Sequence, residues 1–455
     1  MIPVADAPIG SWHKPTEASS AAAQEAVVAN SGRLTGREKY YVYLLWLNLL
    51  CFMGVFSAAS APFSTMFLLG RYLLWPMIIA GVVAHIATRG SQKLLMFIAP
   101  LMPFFAIGIV AGLIGYDPIS SMRLLIFWFL GILSAAVIAA ELPARTALRA
   151  VFWVMLTTLA ASVVFVIVFP KTSVGLDTRG YFGGGSWSGI FAGKNALGWF
   201  AGYALILAVF SGGTNLVWRL VLWALLLVCL LFSGSQGSIV ISVATAAFMG
   251  VIWLLRRTSL SPGARAATLL TLVLIVIPVL ISISGLLLTA IGRDPTLTGR
   301  TDIWRLFGGR ALEYWAIGAG PGSFSTGSPI TADLSVALTS LGQIYTPHNM
   351  FIATLGEVGI FGLIASVGFL GYVAFVLPFR NLTSGALPAS AASFMLLIGG
   401  IGETREVFGA AFAIFVILLL FSLARKAVAS SDAKAEPAAD VVGGQGDSVA
   451  ILGAY

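Results

Sequence analysis

The sequence predicts an all-α, polytopic integral membrane protein with about twelve transmembrane helices and one long polar loop. Three observations predict it. Of 455 residues, 58% are hydrophobic and only 10% are charged, which lies far outside the range of soluble globular domains. Apolar runs of about 17 to 25 residues recur, each long enough to cross the hydrocarbon core of a bilayer. One stretch of about sixty residues, near 291–349, interrupts these runs and gathers Arg293, Arg300, Arg305, Arg310 and His348.

The first 40 residues are rich in Ala, Ser and Glu and lack an apolar core. They read as a disordered cytoplasmic tail rather than a cleavable signal. Apolar runs follow near 41–61, 65–87, 92–114, 119–140, 147–170, 189–210, 214–232, 237–255, 266–290, 350–378, 385–401 and 407–424. The transmembrane unit is therefore expected to fill 41–426, with 427–455 as a second, Ala/Asp/Gly-rich cytoplasmic tail. Cys51 and Cys229 both fall inside predicted spans, so neither a disulfide framework nor a metal cluster is indicated.

An even number of spans puts both termini on one side. The segments there carry Arg33, Arg37, Lys39, Arg89, Arg145, Arg149, Arg256, Arg257, Arg265 and Arg425 among others, so the positive-inside rule makes that side the cytoplasm. The formal charge of +8 is divided between two membrane faces and gives no reason to expect nucleic acid. Lys171, Arg179, Lys194, Arg293, Arg300, Arg305, Arg310 and Arg405 fall on the outer, periplasmic face, where topology does not require them. They suggest an anionic ligand, with loop salt bridges to Asp177, Asp294, Asp302, Glu313 and Glu403 as the plainer alternative.

Within the outer segments, seven glycines between Gly180 and Gly198 allow close backbone approach to a ligand. Lys194 and Asn195 are expected one turn inside the sixth helix. Lys194 either snorkels to the interface or, with Arg179, holds a phosphate. A nucleotide P-loop is excluded, because Ser188 stands at the first glycine position and Asn195 follows the lysine. Further on, Ile303, Trp304, Phe307, Ala311, Leu312 and Trp315 recur at helical spacing, which predicts an amphipathic surface helix starting at Arg300. In Thr346-Pro347-His348-Asn349, Thr346 suits an N-cap and Pro347 a first helical position. His348 is then expected in the first helical turn, where open N–H groups favour anions and a neutral imidazole that can accept a proton. Glu357 lies nine residues on, about half a turn out of phase with His348. Glu403, Arg405 and Glu406 crowd one short loop and are expected to neutralise one another.

With these residues in view, the chain resembles the O-antigen ligase and polysaccharide polymerase superfamily of bacterial inner-membrane proteins, especially exopolysaccharide polymerases of the succinoglycan and Wzy type. Three blocks carry the resemblance. They are Gly189-Ile190-Phe191 with Lys194-Asn195 and Leu197-Gly198, then Thr298-Gly299-Arg300 with Asp302-Ile303-Trp304, and then Gly318-Ala319-Gly320 with His348-Asn349 and Glu357-Val358-Gly359. The resemblance implies a GT-C-like architecture and an inverting glycosyl transfer at the outer leaflet, from undecaprenyl diphosphate to an acceptor hydroxyl, with no metal or other cofactor. It implies that Arg300 and His348 are catalytic, and that Arg300, Arg179, Lys194 and Asn195 meet the donor diphosphate. Asn349, Asp302, Trp304 and Glu357 would support them. Where members usually carry Ser-Arg early in the eighth span, this chain has Ser233-Gly234-Ser235-Gln236-Gly237-Ser238, so one phosphate contact is missing there.

The implied partners are a lipid-linked oligosaccharide donor, a glycan acceptor, membrane lipids, and flippase and chain-length regulator proteins. Three functions remain open. A polymerase would join lipid-linked repeat units, a ligase would pass the glycan to lipid A core or protein, and a transporter or flippase would move the same lipid-linked glycan. The Lys194-Asn195 block favours the polymerase. A transporter would be expected to show paired broken helices in two related halves, and no such internal repeat is visible.

Overall fold

The computed structural model describes residues 34–53, 64–175, 185–210, 214–290, 300–324, 328–338, 344, 346–380, 385–403 and 411–426. A helix stands on each of the twelve apolar runs. In chain order the elements are α1 (Gly36–Phe52), α2 (Ser64–Arg89), α3 (Gln92–Ile98) continuing through a 3-10 turn into α4 (Met102–Ile114), α5 (Pro118–Glu141) and α6 (Ala144–Val168). A short α7 (Pro170–Ser173) leads into an antiparallel ribbon of β1 (Val174–Gly175) and β2 (Ser186–Trp187). Next come α8 (Lys194–Phe210), α9 (Leu216–Phe232), α10 (Gln236–Arg256), α11 (Pro262–Ala290), α12 (Arg300–Glu313) and α13 (Ala332–Ala337). The last described elements are α14 (Met350–Gly371), which runs on through one π-helical turn into α15 (Leu377–Arg380), then α16 (Ala386–Gly399) and α17 (412–426). Six of these helical segments are long and apolar enough to cross a membrane by length and composition. This is an all-α, multi-pass membrane protein.

Local chemistry fixes where several helices start. The first begins at Gly36, before the expected residue 41, because Thr35 and Glu38 form a capping box: Glu38 N–H donates to the Thr35 hydroxyl, and Thr35 N–H donates to Glu38 Oε2 at 2.9 Å. Asp117 caps α5, with Pro118 at its first position, and Asn215 caps α9. The expected tails, apart from residues 34–40, lie outside the described residues, as do Arg179, Arg293, Arg405 and Glu406.

Among the described residues, two packed regions stand out. One apolar core runs through the bundle of spanning helices. A smaller one joins α12 to the start of α14: Ile303, Phe307 and Ala311 pack with Ala319, Phe324, Ile330, Leu334, Leu338 and Ala353. The amphipathic helix expected at Arg300 is therefore present, but its apolar stripe is narrower than the sequence suggests. Leu312 and Trp315 are 62% and 56% exposed, because the stripe meets α14 and the following loop rather than wrapping the whole apolar arc.

That following loop enters a break in α14. At Gly359 the backbone turns to φ 66°, ψ −171°, a region open to glycine and costly for other residues. The interrupted ladder is repaired by Ala319 N–H to Gly356 O at 2.8 Å, Gly320 N–H to Glu357 O at 2.9 Å, and Ile360 N–H to Trp315 O at 2.7 Å. Tyr116 N–H and the Ser121 hydroxyl tie the same loop to the start of α5 through Ala319 O and Pro321 O. A Cβ at Gly318 would collide with the Glu357 carbonyl, and one at Gly359 with the Ala316 carbonyl. The glycines of Gly318-Ala319-Gly320 thus serve close backbone approach.

Candidate active site

The starts of α8, α12 and α14 converge on the turn that follows α16. Glu403 lies at the centre. Its Oε1 accepts from Asn195 Nδ2 at 3.0 Å and from Arg300 at 3.1 Å, and its Oε2 lies 3.4 Å from His348 Nδ1. Arg300 also donates to Gly402 O. The side chains of Glu403, Arg300 and His348 are 16%, 28% and 35% exposed, so the cluster is sheltered but open on one side. The structure brings together Arg300, His348 and Asn195 as the sequence led one to expect, and adds Glu403. Glu403 was expected to be spent on its neighbours in the loop. Arg405 and Glu406 lie outside the described residues, and Glu403 reaches across the bundle to three other elements, because the turn 400–403 is folded against the start of α14.

Three bonds make that turn part of the site. Met350 N–H donates to Gly400 O at 2.7 Å, Asn349 Nδ2 donates to Ile401 O at 3.1 Å, and Arg300 holds the Gly402 carbonyl. Trp304, one turn along α12 from Arg300, donates from Nε1 to His348 O at 3.4 Å. Asn349 and Trp304 therefore lie within the cluster, each bonded to the backbone that carries it.

The cap of α14 differs from expectation. Asn349, not Thr346, is the N-cap: its carboxamide oxygen accepts from Phe351 N–H at 2.9 Å and Ile352 N–H at 3.1 Å. One side chain satisfying two N–H groups outweighs the Thr346-Pro347 pattern, and the helix starts at Met350. His348 therefore precedes the helix instead of lying in its first turn. With Met350 N–H bonded to Gly400 O, the first three N–H groups of α14 are taken, so this terminus is not an open anion site. His348 has φ 47°, the only positive φ outside glycine among the described residues. Such a conformation costs on the order of 1–3 kcal/mol and clusters at functional sites.

Other expected residues sit differently. Lys194 is the first residue of α8, not one turn inside it, because the preceding glycines form a turn with Gly189 at φ 57° against Ser162 of α6. It is half-buried beside Asn195. Asp302 faces solvent, 57% exposed, and pairs with Arg305 at 3.3 Å, so it takes no direct part in the cluster. Glu357 is buried at the break in α14, where its Oε1 accepts from Phe324 N–H at 3.3 Å. Its support goes to the loop inserted there, about 13 Å along the helix from His348.

The arrangement has definite chemical capacities. A guanidinium has five N–H donors; Arg300 uses two on Gly402 and Glu403, leaving three for an oxyanion. The Glu403 carboxylate can only accept, so the His348 tautomer assigned from this network carries its proton on Nδ1 and leaves the Nε2 lone pair open. Positive helix ends at Lys194 and Arg300 add to the anion preference. A charge-stabilising group and a proton acceptor thus stand on opposite arms of one carboxylate.

Residues 220–367 match the family model described as O-Antigen ligase, a segment that holds Arg300 and His348 but neither Asn195 nor Glu403. Over 350 residues, covering 72% of this chain and 74% of the relative, the sequence is 28% identical to Exopolysaccharide production protein ExoQ of Rhizobium meliloti (strain 1021). These similarities support a membrane polymerase or ligase of O-antigen or exopolysaccharide type, with glycosyltransferase-like activity on lipid-linked sugars. These findings support a place for the chain in the O-antigen ligase and polysaccharide polymerase superfamily.

Proposed function

We propose that the protein is an inner-membrane polysaccharide polymerase acting at the periplasmic face. It transfers a glycan from undecaprenyl diphosphate to a sugar hydroxyl of a second lipid-linked repeat unit, with inversion and without a metal. The observation that carries this reading is the Glu403 hub, which holds Arg300 and His348 on one carboxylate. His348 Nε2 takes the proton of the acceptor hydroxyl as its oxygen attacks the anomeric carbon. The bond from that carbon to the diphosphate oxygen breaks, and the lipid diphosphate leaves with the bonding electrons. Arg300 neutralises the charge that develops, and a preorganised guanidinium stabilises it more than water would. Lys194 assists from the start of α8; Arg179, outside the described residues, joins it in the proposed site. Asn195 orients Glu403.

Polymerisation is favoured because the similarity to an exopolysaccharide production protein extends well beyond the 220–367 segment. The ligase reading rests on the description of that segment's family model and shares every step except the acceptor. Glycan analysis after deletion of the gene separates them. A polymerase leaves single repeat units on the lipid carrier. Long chains persisting on the carrier, unattached to a final acceptor, would refute the polymerase reading in favour of the ligase.

A further inference from the structure

At the end of the bundle away from Glu403 lies a second polar site. The distance between the two follows from α17: Phe412 at its start packs on Phe200 of α8, near the Asn195 that bonds Glu403, and its last described residue, Lys426, donates to Ala140 O at 2.8 Å. Fifteen residues of helix span about 22 Å. Beside Ala140, Glu141 pairs with Arg37 at the start of α1. There α1 and α2 flank an open cavity of about 470 Å³, lined by Arg37, Tyr40, Tyr41, His85, Thr88 and Arg89.

The wall is built rather than incidental. Tyr41 and His85 are both buried, with the hydroxyl 2.9 Å from His85 Nδ1, and Glu141 Oε1 lies 4.0 Å from the same nitrogen. Tyr40 and Thr88 donate their hydroxyls to backbone carbonyls of α2, at Gly81 and Ala84. The rim carries Arg37 and Arg89, of which Glu141 offsets one. Among the described residues no carboxylate pairs with Arg89. The cavity therefore keeps an excess positive charge at the end of spanning helices. Arginines and tyrosines at helix ends commonly just anchor in the headgroup layer, but anchoring needs no cavity and no buried Tyr41–His85 pair beside a guanidinium that no described carboxylate matches. At about 30 Å³ per water, the volume admits a phosphoglycerol headgroup, and basic pockets between membrane helices suit such groups.

We propose that this cavity binds the phosphate of an anionic phospholipid, gripped by Arg89 and Arg37 and backed by His85. The proposal is independent of the transfer reaction at the other end. The test uses the purified full-length protein in detergent, with retained lipid counted by native mass spectrometry after exposure to phosphatidylglycerol or phosphatidylcholine. The parent should keep phosphatidylglycerol in preference. Arg89→Gln should weaken retention by about tenfold or more, the loss expected for a charge-assisted bond. Because Arg37→Gln alone would strand Glu141, the double variant Arg37→Gln/Glu141→Gln serves as the second arm and should show a similar loss. Arg305→Gln, on the exposed face of α12, should bind as the parent does. Equal retention of both lipids, parent-like retention by Arg89→Gln, or release of the lipid by millimolar inorganic phosphate would each overturn the assignment, the last by giving the site to a free anion.

Discussion

Replacing Glu403 by Gln tests the proposed chemistry most directly, because it changes charge and hydrogen-bond polarity while keeping shape. Oε1 of Glu403 is already claimed by two donors, Asn195 Nδ2 at 3.0 Å and Arg300 at 3.1 Å. The carbonyl oxygen of a glutamine must stay with them, so its NH₂ turns toward His348 Nδ1, 3.4 Å away in the parent. Two donors cannot face each other, and Nδ1 must then become the acceptor. The imidazole proton moves to Nε2, and the lone pair that would take the hydroxyl proton is gone. Loss of a general base costs a factor on the order of 100 to 10,000. Weakening of the Arg300 contact from charge-assisted to neutral adds roughly 1 kcal/mol at most in this partly exposed site. The assay is turnover of a synthetic lipid-diphosphate donor by purified enzyme, with thermal unfolding measured in parallel. Turnover by Glu403→Gln within a few-fold of the parent, in a protein that folds normally, would refute the tautomer argument and the general-base role together.

Arg300→Ala should abolish transfer at normal protein level, and Arg300→Lys should recover only part, since a point charge cannot reproduce the guanidinium fork; near-normal product from Arg300→Ala would remove it from the mechanism. His348→Gly should match or exceed the parent in thermal stability, because relief of the φ of 47°, on the order of 1–3 kcal/mol, offsets the roughly 0.5–1 kcal/mol that a glycine costs through the unfolded chain, yet be inactive; retained turnover would make His348 structural. Gly359→Ala should lower the unfolding midpoint in detergent, with a cost of about 1–3 kcal/mol from the backbone conformation alone; an unchanged midpoint would show that the break in α14 can close. For topology, Arg305→Cys on α12 should react with an impermeant thiol reagent in cells with a permeabilised outer membrane, whereas Ser259→Cys, exposed between α10 and α11, should react only after lysis. The reverse pattern would invert the proposed orientation.

The spans were legible in the sequence because length and apolarity are the signal, and both are local. Arg300, His348 and Asn195 were legible too, as polar residues at the mouths of apolar runs. Glu403 was not. Its role depends on partners 208, 103 and 55 residues away, and the visible signal, three charges in one short loop, fits mutual neutralisation equally well. The start of α14 was misplaced because Thr346-Pro347 and Asn349 are both good starting signals; only the tertiary bonds to Gly400 and Ile401 select the second. The break at Gly359 was hidden for a different reason. Apolar character continues without pause through Val358, Ile360 and Phe361, so nothing in the pattern marks the carbonyls that the 315–320 loop must satisfy.

A carboxylate at the heart of the proposed diphosphate site looks like an obstacle, since it repels the ligand. The geometry answers this through pairing. Glu403 is matched by Arg300, so the pair brings no net charge, and the attraction for an anion comes from Lys194, the ends of α8 and α12, and the three N–H groups Arg300 has left. Without Glu403 the long Arg300 side chain would lose rotamer freedom only when substrate arrives, and that ordering would be charged against binding. With it, the guanidinium is fixed in advance, and the same carboxylate sets the tautomer of His348. In the proposed reaction, charge neutralisation at the leaving group and proton removal at the attacking hydroxyl are then held at one separation by a single residue. Each depends on where Glu403 stands, so loss of Asn195, which touches neither reacting group but anchors Glu403 Oε1, should disturb both.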